Sequence, residues 1–123
     1  MLEFQKKSIR LIEALENQGY QYSLHSYVSG LSELAVRVYK PDCPDRCIRI
    51  TFQTTRYIKM PSDWAHGDFC LATPEQHKKL ITELGLSESQ ARQMLLFTAQ
   101  PPKKPEILVL CMKVFVSEET LIG

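Results

Sequence analysis

The chain has 123 residues, 44% of them hydrophobic and 24% charged, with a formal net charge of +1. That length and balance fit one domain with a single hydrophobic core and exclude global disorder. Near-neutral charge argues against a dedicated non-specific nucleic-acid binder, and no run of about 18 apolar residues is present to span a bilayer.

The N-terminal stretch MLEFQKKSIRLIEAL is interrupted by Glu3, Lys6, Lys7, Arg10 and Glu13. A secretory leader needs an unbroken apolar stretch, so mature structure in a cytoplasmic setting is expected. Cys43, Cys47, Cys70 and Cys111 are then expected as thiols or ligands, not disulfides.

Phe4, Leu11, Ile12 and Leu15 recur at helical spacing, and Gly19 suits the positive φ that follows a helix. A helix is predicted over Glu3–Asn17. Tyr20, Tyr22, Leu24 and Val28 then alternate with polar neighbours as in a half-buried strand. Ser29-Gly30 is a turn, and Leu34, Val36 and Val38 make a second strand. PDCPDRC supplies the next turn, and Ile48, Ile50 and Phe52 form a third strand with a continuation through Ile58 and Met60. Pro61–Leu71 reads as an irregular loop.

Thr73-Pro74-Glu75-Gln76 has the form of a capping box with proline at the first helical position. The helix it opens closes at Gly85. Ser87-Glu88-Ser89-Gln90 repeats the pattern and predicts a second helix through Thr98, with Ala91, Met94, Leu95 and Thr98 as its apolar face. QPPKKPE is a stiff connector. Ile107–Val116, ILVLCMKVFV, is apolar at both parities through its first half, as a strand covered on both faces should be. The predicted fold is a single α+β domain over 1–123: an N-terminal helix, a three-stranded antiparallel meander, a helical hairpin, and a buried C-terminal strand completing a four-stranded sheet.

Three surfaces carry candidate chemistry. If Leu34, Val36, Val38, Ile48, Ile50 and Phe52 face the core, the opposite face should present Arg37, Tyr39, Arg49, Tyr57 and Lys59, with His25 and Tyr27 nearby. Aromatics interleaved with cations suit a protein interface, a second copy included, or a single-stranded nucleic acid.

The second is the hairpin, residues 77–98. LITELGLSESQARQML, with Gly85 in the turn and Met94-Leu95 late in the second segment, resembles the helix-turn-helix class of DNA readers. The resemblance implies that Ser87, Glu88, Ser89, Gln90, Arg92 and Gln93 would meet bases or phosphates. An ordinary αα-hairpin packed on a sheet satisfies the same pattern.

The third is a thiol–imidazole set. Cys43, Cys47, His66 and Cys70 have the chemistry of a Cys₃His zinc centre, if their loops meet. Asp63, His66, Asp68 and Cys70 also crowd one loop beside Trp64, where a Cys/His nucleophile pair is the enzymatic alternative. The element order is similar to the core layout of metal-dependent nucleases, but IRITFQTT offers no carboxylate to hold a catalytic metal, which implies at most an inactive scaffold. The expected function is therefore a non-enzymatic binding or regulatory module with a protein partner or a second copy, and nucleic acid as the alternative ligand.

Overall fold

The third strand does not run on within its own sheet; it turns a corner and enters a second one. In the computed structural model, which describes residues 3–120 without the side chains of 44, 45, 119 and 120, the elements follow in this order. Helix α1 spans Glu3–Glu13, and strands β1 Gln21–Val28, β2 Glu33–Lys40 and β3 Cys43–Gln53 follow it. Strands β4 Tyr57–Lys59, β5 Asp63–Ala65 and β6 Cys70–Leu71 lead to helices α2 Pro74–Leu84 and α3 Glu88–Arg92. Strands β7 Leu95–Ala99, β8 Ile107–Cys111 and β9 Lys113–Thr120 complete the chain. Two antiparallel sheets result, ordered β5-β1-β2-β3-β9 and β4-β8-β7-β6.

The α+β class stands, but one four-stranded sheet becomes two sheets of five and four strands. The cause is a bend in a two-stranded ribbon. β3 pairs with β9, while their continuations β4 and β8 pair with each other in the other sheet. At the bend Thr54 takes φ 52°, the Met112 N–H donates to the Gln53 carbonyl at 3.1 Å, and the Arg56 N–H donates to the Leu110 carbonyl at 2.8 Å. Strands that switch sheets in this way form the corners of a β-sandwich. Ile107–Val116 is consequently not one strand but two, broken at Met112.

Register fixes which side chains meet. Tyr22, Val38 and Ile48 occupy one row of the first sheet, Leu24, Val36 and Ile50 the next, and Leu34, Phe52 and Val114 a third. Most of these are fully buried against Phe97, Ala99, Ile107, Val109 and Cys111 from the second sheet. Each large side chain so buried contributes roughly 1.5–3 kcal/mol. Phe52 stands edge-on between Phe69 and Phe97, both 5.5 Å away, and Tyr22 stacks on Trp64 at 5.2 Å.

The second sheet is covered on both sides, as the apolar pattern of Ile107–Cys111 predicted. Its other face meets α2 through Leu80, Ile81, Met94, Leu96 and Leu110. Both capping boxes form, Thr73 with Gln76 and Ser87 with Gln90, and Gly85 ends α2 at φ 70°. The second helix of the hairpin, however, stops at Arg92. Leu95–Ala99 is strand β7, which pairs with β8 from Leu95 opposite Cys111 to Ala99 opposite Ile107.

Two smaller corrections follow the same logic. Pro61–Leu71 holds the short strands β5 and β6. On α1 the buried residues are Gln5, Ser8, Ile9 and Ile12, whereas Phe4 and Leu11 are 41% and 43% exposed. The helix lies along β9 at the edge of the first sheet, so an edge backbone is among the surfaces it must satisfy. No helix among the described residues is long and apolar enough to cross a membrane.

Candidate functional site

The layers stack as first sheet, second sheet, then α2 and α3. Among the described residues the outer face of the first sheet packs against neither α2 nor α3, and Phe4 of α1 reaches it at β9. Strand alternation sends to this face what the inner face does not take. One row reads Ser23, Arg37, Arg49, Ser117 across β1, β2, β3 and β9. The row on one side holds Gln21, Tyr39 and Cys47, and on the other Ala35, Thr51 and Phe115.

Arg37 and Arg49 are direct cross-strand partners. Their Cβ atoms are then about 5 Å apart, which concentrates positive charge at the middle of the row, although each side chain also has a partner of its own. Both side chains are half-buried, with the Nε atoms inaccessible to solvent. Their stems lie on the sheet while the charge is held close to it, as amphipathic side chains do. Tyr39 is half-buried beside them. Phe115 is stacked on Phe4 at 5.3 Å, which closes the apolar end of the face with a ring from α1.

Tyr57 and Lys59 do not join this face. They lie on β4 in the second sheet, opposite Leu110 and Leu108, and Tyr57 packs with the cluster beneath α2. The expectation that all five residues share one surface fails because β3 ends at the corner. Tyr27, opposite Leu34, occupies an inward register, and His25 falls at the bulge between Leu24 and Ser26.

Gln90, Arg92 and Gln93 are exposed at α3, as a recognition element would require. The element itself is only five residues long, with Gln93 at its C-cap. Gln90 is committed to the capping box, and Arg92 lies 3.9 Å from Glu88. A helix-turn-helix protein docks its second helix in the major groove. Here that helix is only five residues long and gives way to β7, so the resemblance stops soon after the turn. His77 is structural as well, with Nε2 3.2 Å from the Met94 carbonyl oxygen.

The thiol–imidazole set is divided. Cys43 and Cys47 border a cavity of about 260 Å³ between Tyr20, Lys40, Arg46 and Glu118, over Val38 and Ile48. His66 borders a second cavity of about 310 Å³ with Asn17, Gly19, Tyr20 and Asp68, so Tyr20 separates the two. Cys70 sits on β6, where its Sγ is 3.5 Å from the Thr98 hydroxyl. Among the described residues no three His, Cys, Asp or Glu side chains are grouped to hold a metal ion.

The acidic residue crowded near His66 has a structural task. Asp68 accepts from the Tyr22 hydroxyl at 2.6 Å and from the Asn17 N–H at 3.0 Å, tying the turn that follows α1, which ends at Glu13 and not at Asn17, to β1. Burial, reinforced by the bond to Asp68, pushes the Tyr22 hydroxyl far above its usual titration range. Burial alone pushes the Cys111 thiol up to about 12. Neither group is placed to act as a nucleophile near neutral pH.

Sequence reasoning missed Tyr20, Lys40, Arg46 and Glu118 as a group. The only available signal was the PDCPDRC turn, whose residues 44–46 have no partner on β2 because Lys40 pairs with Cys43 while Tyr39 pairs with Cys47. Comparison with protein-family models, curated proteins and solved structures found no match to this chain.

Proposed function

We propose that this protein is a non-enzymatic, cytoplasmic binding module that engages an acidic protein partner through the outer face of its five-stranded sheet. The observation that carries the reading is the direct opposition of Arg37 and Arg49 on a sheet face that, among the described residues, packs against neither α2 nor α3. A carboxylate on a partner can make charge-assisted hydrogen bonds to guanidinium groups, and a positive sheet face steers acidic partners toward it. Ser23 and Ser117 extend the same row with hydroxyls, and Tyr39 adds an amphipathic ring of the kind enriched at interfaces.

Two considerations favour a protein over nucleic acid. Stacking platforms for single strands need successive exposed rings beside cations. With Tyr57 and Lys59 on the other sheet and Phe115 stacked on Phe4, Tyr39 is left without such a series. The duplex-reading alternative lacks its recognition helix. The four cysteines, all thiols, suit a reducing compartment.

The test is fluorescence anisotropy with a labelled Asp/Glu-rich peptide, a Lys-rich peptide and oligo(dT), each at two salt concentrations. Saturable binding of the acidic peptide, weakened about tenfold or more in the Arg37→Ser, Arg49→Ser double variant, is expected. Tighter binding of oligo(dT) would replace this reading with the nucleic-acid one. Indifference of the acidic peptide to the double variant would end it.

A further inference from the structure

We infer that the cleft divided by Tyr20, at the end of the sandwich where β2 turns into β3, binds a small monocarboxylate with a short apolar body. The site differs from the outer sheet face and does not depend on its role. Its floor is the half-buried Ile48, with its cross-strand neighbour Val38 fully buried beneath; both side chains point inward. The next residue to share that row is Glu118 on β9, opposite Ile48. A carboxylate therefore stands where the inward pattern calls for an apolar side chain. Two cations accompany it: Lys40, whose Nζ is 5.0 Å from the centre of the Tyr20 ring, and Arg46 from the part of β3 that bulges away from β2.

The ion pairs between described residues, Lys6–Glu3 and Arg92–Glu88, use none of these three charges. An apolar floor with a few convergent polar groups is the general form of a small-molecule site. At about 260 Å³ the chamber suits a compact ligand. Lys40 and Arg46 supply the anion-binding donors, and the aliphatic floor takes the hydrocarbon. Glu118 sets the charge limit, because a second negative charge on the ligand would face it. A monocarboxylate is thus preferred to a phosphate dianion.

The test is a methyl-detected NMR titration of the full chain with 4-methylpentanoate, against 4-methylpentan-1-ol and inorganic phosphate. Saturable shifts of the Val38 and Ile48 methyls with the carboxylate are expected, with the alcohol and phosphate each at least about tenfold weaker. Lys40→Met combined with Arg46→Met should weaken the carboxylate by a similar factor while leaving the core methyl spectrum folded. Glu118→Gln should improve phosphate binding. Equal binding of acid and alcohol, non-saturating shifts, or shifts centred on Arg37 and Arg49 would overturn the proposal. Should the double variant fail to fold, the acid–alcohol comparison on the unaltered protein decides the matter alone.

Discussion

Gln5 satisfies the edge of β9 with both ends of its amide: Nε2 donates to the Val114 carbonyl and Oε1 accepts from the Val114 N–H, each at 3.0 Å. A helix side chain thus does the work of a neighbouring strand, and the edge is closed to further pairing there. Replacing it by leucine keeps the volume but strands two buried backbone groups. Gln5→Leu should cost about 2–4 kcal/mol, read from the urea midpoint at unchanged m-value. A loss too small to measure would mean that water reaches Val114.

Gly67 is needed for space. A Cβ built there would lie 2.7 Å from the Pro101 nitrogen and 2.9 Å from its Cα, both backbone atoms. Its carbonyl also accepts from the Trp64 indole at 2.8 Å. Gly67→Ala should therefore destabilise by about 1–3 kcal/mol, because the proline segment must move to admit one methyl group. Thermal denaturation checks this, with the alanine variant melting lower. The exposed Gly30, with nothing within 4 Å of a built Cβ, is the control position.

Alkaline pH should unfold the protein, and the sign is set by two raised groups. Tyr22 and Cys111 keep their protons in the folded state when unfolded counterparts near 10 and 9 have lost them. Their contribution to stability is thus whole below about pH 8.5 and falls as pH rises, by up to about 1.4 kcal/mol per unit for each group titrating. For Cys111 the loss is complete near pH 12. Tyr22→Phe removes the tyrosine share of the slope, although it costs about 1–2 kcal/mol at neutral pH by taking a donor from Asp68. Stability curves of the two proteins from pH 7 to about pH 11 should therefore converge. Parallel curves would refute the assignment.

Thiol labelling should separate the cysteines by burial. Cys43 and Cys70 are exposed, and Cys47 and Cys111 are buried. An aromatic disulfide reagent added to the native protein should modify the first two rapidly, and the other two only at the rate of opening or in denaturant. Mass spectrometry of peptides identifies the sites. Rapid native modification of Cys111 would contradict its place between the sheets.

Legibility in the sequence followed the range of the forces involved. The capping boxes at Thr73 and Ser87 and the stop at Gly85 were readable because each donor and acceptor lies within three or four residues. The alternation of Leu34–Val38 and Ile48–Phe52 was readable for the same reason, since a strand's period is two. It also assigned Arg37, Tyr39 and Arg49 correctly to the face away from the core. On α1 the same reasoning erred, because Gln5 and Ser8 are buried beside a strand edge where polar atoms are needed and Phe4 instead reaches Phe115. The cleft around Tyr20 could not be read at all. Its three charges come from three separate strands, and no spacing links Tyr20 to Glu118.

The sequence by itself determined the α+β class, the helix starts, the three-strand meander and the double covering of Ile107–Cys111, all consequences of local hydrogen bonding and short-period hydrophobic patterns. Tertiary structure alone decided that Leu95–Ala99 is a strand, that Met112 breaks the last apolar run, and that two sheets rather than one enclose the core. Ala91, Met94, Leu95 and Thr98 satisfy a helical period perfectly well in isolation. What overrules it is the backbone of β8, whose hydrogen-bonding groups are met by β7 in a register that buries Phe97 and Ala99 on one side and Leu96 on the other.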